Sequence, residues 1–165
     1  MSRRTSITVG ISGGSGAVYA VRLLDILALH YQRVDVVLSN AARQVLVQET
    51  GLDAPPPGPW VLENVPGGNV TIWGLNDYSA PFASGSNAPR EMVIVPCSMS
   101  TAASIAHGVD QNLMHHAATV MIKEGRTLIV VPRETPLSTI HLRNLLTLSE
   151  VGVRVIPAMP GPNRK

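Results

Sequence analysis

A single cysteine, Cys97, excludes an intramolecular disulfide and fits a reducing compartment. Aromatic residues are 4% of the chain, too few for a base-stacking platform. Charged residues are 15%, the formal net charge is only +2 and the basic residues are scattered, which argues against nucleic acid as a partner. No apolar run approaches ~20 residues, so no membrane span is expected. Met1-Ser2-Arg3-Arg4-Thr5 runs directly into a strand pattern without a signal-peptide h-region, which points to the cytoplasm. His107, His115 and His116 invite a metal reading, but no H-E-x-x-H occurs and no cysteine pair completes a zinc site. No metal is expected, and His115 and His116 read as surface or interface residues. Cys97 ends a buried run and reads as an inert small hydrophobe.

What is present is a chain of 165 residues, 45% hydrophobic, enough for one domain over 1–165 with a sizeable core. Low charge with many Ala, Val and Leu fits a chain that buries part of its surface in a homo-oligomer. Five apolar runs read as strands, 7–12, 34–39, 92–97, 127–132 and 154–158. Amphipathic segments near 15–30, 40–50, 99–107, 110–124 and 137–151 read as helices. This alternation predicts an α/β, three-layer flavodoxin-like or Rossmann-like fold. A parallel sheet of order 2-1-3-4-5 is expected, with its ligand crevice between the first and third strands. Residues 53–90 are irregular: Ala54-Pro55-Pro56-Pro57-Gly58-Pro59 suits neither helix nor central strand. Val70-Thr71-Ile72-Trp73 reads as a short additional strand.

Two strand-to-helix turns carry the chemistry. After Met92-Val93-Ile94-Val95 comes Pro96-Cys97-Ser98-Met99-Ser100-Thr101, then Gly108, Asp110, Asn112 and Leu113. Small hydroxyl residues at a helix start suit an anionic or carbonyl-rich ligand. A helix capped by Ser98 or Ser100 explains the same residues equally well. After Ile7-Thr8-Val9-Gly10-Ile11 comes Ser12-Gly13-Gly14-Ser15-Gly16, where glycines permit close backbone approach and Ser12 and Ser15 add hydroxyl donors. It is neither G-x-G-x-x-G nor a Walker loop.

Both turns, in this order, resemble the UbiX-type flavin prenyltransferases, within a wider flavodoxin-like flavoprotein group that includes cysteine decarboxylases. The resemblance runs from Ile7 to Pro160. It rests on Gly10–Gly16, Leu38-Ser39-Asn40-Ala41-Ala42, Pro96–Thr101, Val131-Pro132-Arg133-Glu134-Thr135-Pro136-Leu137, Ile140-His141-Leu142 and Pro157-Ala158-Met159-Pro160.

This resemblance implies an FMN site built from Gly13, Gly14, Ser15, Ser39, Ser98, Met99, Ser100, Thr101 and Arg133. It implies metal-independent transfer of dimethylallyl from dimethylallyl phosphate to N5 and then C6 of reduced FMN. The prenylated FMN so made serves a partner decarboxylase. Ser15 and Glu49 would act near the reacting flavin edge, while Lys123, Arg133 and Glu134 would bind or orient the phosphate. Without the resemblance, Ser39 is a helix cap, Lys123-Glu124 an exposed pair and Glu49 an unremarkable helix-end carboxylate. Trp73 would lend its ring face to cationic character if its loop covers the site.

Relatives form trimers packed into dodecamers. They carry arginine where this chain has His116, and continue beyond Pro157–Pro160 with an aromatic–basic segment, where this sequence reads Gly161-Pro162-Asn163-Arg164-Lys165. The expectation is therefore FMN binding with weaker prenyl transfer. The rival readings are an FMN protein without transferase activity and a cysteine-decarboxylase-type flavoprotein.

Overall fold

Along each central strand, successive side chains enter different cores, and that alternation sets the layering. The computed structural model describes residues 3–62 and 68–159. The expected residues Pro160–Lys165 lie outside the described range.

The elements follow in order: β1 (Arg4–Ile11), α1 (Ala17–His30), β2 (Tyr31–Leu38), α2 (Asn40–Thr50), β3 (Gly58–Pro59), β4 (Val70–Trp73), β5 (Glu91–Cys97), α3 (Met99–Ala106), α4 (Leu113–Lys123), β6 (Thr127–Pro132), α5 (Thr139–Glu150) and β7 (Arg154–Val155). Val93 and Val95 of β5 join a core with Ala20 and Leu24 of α1 and Leu46 of α2. Met92 and Ile94 join a second core with Ile105 of α3, Met114 and Met121 of α4 and Leu148 of α5. A strand buried on both faces between helices is the parallel-sheet arrangement that the apolar runs predict.

The sheet order is β3-β4-β2-β1-β5-β6-β7. Its central five strands, β2-β1-β5-β6-β7, reproduce the expected 2-1-3-4-5 order, and β4 adds the anticipated extra strand parallel to β2. The two-residue β3 pairs antiparallel with β4 at the sheet edge. Pro59 is tolerated there because an edge strand needs donors on one side only.

Boundaries moved for local reasons. The first helix opens at Ala17 rather than near 15, because Gly16 holds a left-handed φ of 113°. The fourth opens at Leu113 rather than 110, where the Asn112 side chain accepts from His115 N. β7 is shorter than 154–158, yet Ile156 N and Ala158 N still donate to Val130 O and Pro132 O along β6.

Candidate active site

Pro96 has no N–H to give the ladder, and the β5–β6 register shifts between Ile94 and Cys97. Its carbonyl instead accepts Ser12 N at 3.1 Å and Ser12 Oγ at 2.9 Å. Ser12 Oγ in turn accepts Ser98 N at 2.7 Å. The turns after β1 and β5 are thus fastened together through one hydroxyl that is 2% exposed. Sequence reading offered Ser12 as a ligand donor, but its proton and a lone pair are already used inside the protein. Ser12→Ala leaves Ser98 N–H without that acceptor, and we expect a loss of about 1–3 kcal/mol in chemical denaturation. A loss below a few tenths of that would show that water replaces the hydroxyl.

Beside this fastening lies a cleft of about 310 Å³, bordered by Gly13, Ser39, Ser98, Ser100, Thr101 and Asn112. The starts of α2, α3 and α4 converge on it. Ser39 Oγ accepts Ala42 N at 3.0 Å, Ser98 Oγ accepts Thr101 N at 3.2 Å, and Asn112 Oδ1 accepts His115 N at 3.0 Å. Three caps satisfy part of each first turn and fix its direction; helix starts aimed together favour an anion. Ser98 Oγ also lies 3.0 Å from both Ser100 Oγ and Thr101 Oγ1, giving the rim a hydroxyl cluster. Capping and ligand binding are compatible here, since the caps shape the rim. Met99 is different: its side chain is buried, so it can offer only backbone.

The glycines have separate reasons. A Cβ on Gly13 would stand 2.5 Å from Ala41 Cβ, so α2 approaches this turn as closely as a backbone without a side chain allows. A Cβ on Gly14 would sit in ordinary contact with Pro96 and Ser98.

Next to the cleft, Ser15, Glu49 and Arg133 meet from three separate elements. Ser15 Oγ donates to Glu49 Oε1 at 2.7 Å and accepts from Arg133 Nη1. Glu49 also accepts Gly16 N at 3.0 and 3.1 Å and Ala17 N at 2.7 Å. A carboxylate from the end of α2 therefore caps the start of α1, whose own Ncap, Gly16, has no side chain. Partial burial pushes the Glu49 carboxyl upward. Donation from Ser15, Gly16 and Ala17, with the nearby Arg133 charge, outweighs it and holds the group below the usual carboxylate range. Its stabilising effect is therefore complete above the ordinary carboxylate pKa and is lost as pH falls through the lower folded value. We expect the stability difference between wild type and Glu49→Gln to shrink steadily in acid titrations below about pH 4.5; a difference that does not change with pH would remove the charge from this role.

Other expected residues lie elsewhere. Glu134 is exposed and accepts its neighbour Thr135 N at 3.2 Å, outside the Ser15 cluster. Lys123, at the end of α4, pairs with Glu124 at 2.6 Å, close to the start of β6 and hence near the opposite edge of the sheet. Within one subunit the structure does not bring it to Arg133. Trp73 does not cover the cleft: its Nε1 donates to buried Asp35 at 2.9 Å and its ring meets Phe82 edge-on at 6.0 Å.

The histidines correct the surface reading. His115 is buried and lines the cleft, and burial outweighs Asp110 to lower its pKa. Both ring nitrogens of His116 face acceptors, Asp110 Oδ2 at 2.5 Å and Ala83 O at 3.0 Å, so it ties the 81–83 turn to α4. Cys97 is inert as expected, since burial pushes its thiol up to about 12. Sequence alone offers Ser12 as a ligand donor and Asn112 only as part of the stretch after the Pro96–Thr101 turn; it does not place His115 at the site at all. His115 carries no sequence signal that separates it from its half-buried neighbour His116.

Comparison with known proteins agrees with this geometry. The Flavoprotein family model matches residues 1–164. Flavin prenyltransferase UbiX of Alkalihalophilus pseudofirmus is 47% identical over 158 residues, covering 94% of this chain and 78% of the relative. AnUbiX (PadA1), solved in complex with FMN and dimethylallyl pyrophosphate, superposes with TM-score 0.83 at 36% identity, over 96% of this chain and 80% of that one. A dodecameric FMN-dependent UbiX-like decarboxylase from Escherichia coli O157:H7 gives TM-score 0.83 at 37% identity, over 94% and 81%. With its two turns joined through Ser12, its capped helix starts around one cleft and these matches, the chain belongs to the UbiX-type flavin prenyltransferase family of flavoproteins.

Proposed function

We propose that this protein is a flavin prenyltransferase that transfers dimethylallyl from dimethylallyl phosphate to reduced FMN. The observation carrying the proposal is the convergence of three helix starts on the Gly13 cleft, with the Arg133–Ser15–Glu49 cluster two residues further along the same turn. The residues fit FMN: capped helix starts suit its phosphate, and the bare Gly13 backbone lets α2, with its Ser39 cap, come up close against the cleft. Reduced FMN, when bound, would supply N5 as the nucleophile that replaces the phosphate on the prenyl carbon, giving up its proton, and C6 as the carbon that closes the ring, losing its proton as the prenyl alkene gains one.

The chain's own residues do the rest. Ser39, Ser98, Ser100 and Thr101, with the backbone of Gly13, Gly14 and Met99, hold the cofactor. Arg133 is a fixed cation placed to bind an anionic group while it orients Ser15. Ser15 carries a proton aimed at Glu49, and Glu49, kept ionised, accepts protons that reach it through that hydroxyl. Fixed dipoles and charges around the cleft would stabilise developing allylic charge.

Lys123 joins this machinery across a subunit contact, since its own subunit places it away from Arg133. The assembly is a homo-oligomer, trimer-based and dodecameric. This reading is supported by the exposed apolar residues Ile140, Leu142 and Leu146 on α5. The whole chain acts as one flavoprotein domain. Its proposed location is the cytoplasm, where a decarboxylase that uses prenylated FMN would collect the product. Among the described residues no helix is long and apolar enough to cross a membrane.

FMN titration followed by flavin fluorescence tests the cofactor site. Ser39→Ala removes both a cap and a rim hydroxyl, and we expect affinity to fall about tenfold, equivalent to ~1.4 kcal/mol. Equal binding by wild type and variant would take Ser39 out of the site.

A further inference from the structure

A cleft of about 740 Å³ lies at the amino edge of the sheet, where β1 and β5 begin. The seven residues of β5 separate it from the flavin cleft by roughly 20 Å. Four arginines line it, Arg4, Arg33, Arg90 and Arg126, against one carboxylate, Glu91. That carboxylate is already engaged: Arg4 Nη1 lies 3.0 Å from Oε1, and Tyr31 Oη donates to Oε2 at 3.1 Å. Arg33 uses its Nε on Asp35 at 2.9 Å.

Arg90 and Arg126 differ from these two. Among the described residues neither has a carboxylate within 4 Å; the nearby Glu124, whose charge Arg126 feels, is already paired with Lys123 at 2.6 Å. Distant in sequence, they are drawn together because Thr127 N, directly after Arg126, donates to Arg90 O at 3.1 Å. Two planar guanidinium groups that line one cleft, neither held in an ion pair, suit a ligand with two adjacent anionic centres. Ser86 and Asn87, which line the same cleft, add a hydroxyl and an amide, donors that suit phosphate oxygens. The lining has too little apolar surface for a prenyl chain or a ring to add much, so recognition rests on charge.

We propose that this amino-edge cleft is a second anion site, which takes a small diphosphate-type ligand through Arg90 and Arg126. It is separate from the flavin cleft and does not depend on prenyl transfer. The probe is inorganic pyrophosphate, titrated calorimetrically at constant ionic strength into protein saturated with oxidised FMN and dimethylallyl phosphate, so that the flavin cleft and the proposed phosphate site beside it are both already filled. Saturable binding is expected, with orthophosphate about tenfold weaker because it spans one guanidinium rather than two. The double variant R90A/R126A should weaken pyrophosphate at least tenfold, and R90K/R126K should recover only part of that loss, because an ammonium cannot bind bidentately. FMN affinity of both variants should match wild type, which also verifies that they are folded. Undiminished pyrophosphate binding by R90A/R126A, or no saturable binding by wild type, overturns the proposal. If the double variant fails the FMN check, the single variants R90K and R126K replace it; pyrophosphate affinity unchanged in both would equally refute the site.

Discussion

Gly13→Ala should abolish useful FMN binding, lowering affinity at least a hundredfold, or about 2.7 kcal/mol. The added Cβ would stand 2.5 Å from Ala41 Cβ, a separation that forces either the glycine turn or the first turn of α2 to move. Overpacking of this kind costs about 1–3 kcal/mol in stability by itself. Binding suffers further because Ser39, the cap of α2, belongs to the same turn and would be displaced with it. The geometry also supplies a rescue. Once Ala41 Cβ is gone, the nearest Ala41 atoms stand 3.5 Å from the new methyl group, an ordinary contact. Gly13→Ala/Ala41→Gly should therefore bind FMN better than Gly13→Ala, despite an extra glycine in a helix. If Ala41→Gly brings no recovery, the effect of Gly13 does not come from this contact.

Arg133→Ala should reduce prenyl transfer by roughly 10- to 150-fold, the equivalent of losing one charge-assisted interaction worth about 1.5–3 kcal/mol. In the proposed reaction the guanidinium would bind an anion as well as make the hydrogen bond that leaves the Ser15 proton aimed at Glu49. Because Arg133 and Glu49 act through one hydroxyl, their substitutions should not combine additively. The Arg133→Ala/Glu49→Gln variant should be little slower than the worse single variant. Fully additive losses would mean that the three residues do not work as a unit. Arg133→Lys keeps the charge but loses the planar fork, and should recover phosphate attraction better than it recovers the rate.

The layering was legible because it depends on local pattern: runs such as Met92–Val95, buried on both faces, need no tertiary information to be read as central parallel strands. The crevice followed from topology, with the turns after β1 and β5 falling where helices leave opposite faces. What could not be read was any role created by contact between distant segments. Glu49 looks like an ordinary helix-end carboxylate until folding sets it at the start of α1, 32 residues away from Ala17. Ser12 resembles any loop serine until folding brings the Pro96 carbonyl within reach of both its backbone N–H and its hydroxyl. His115 and His116 are sequence neighbours of one type, yet helical geometry buries one beside the cleft and sets the other between Asp110 and Ala83. Lys123 marks the same limit from the other side. Motif resemblance grouped it with Arg133, whereas the course of α4 carries it to the far edge of its own subunit.

The most direct test of the account is the mass of the flavin recovered after anaerobic incubation of the purified protein with reduced FMN and dimethylallyl phosphate. The account predicts FMN that has gained one five-carbon prenyl unit, in an amount that rises with time and falls sharply with Arg133→Ala. Unmodified FMN recovered from protein that demonstrably binds it would contradict prenyl transfer and leave a flavin-binding protein without that chemistry.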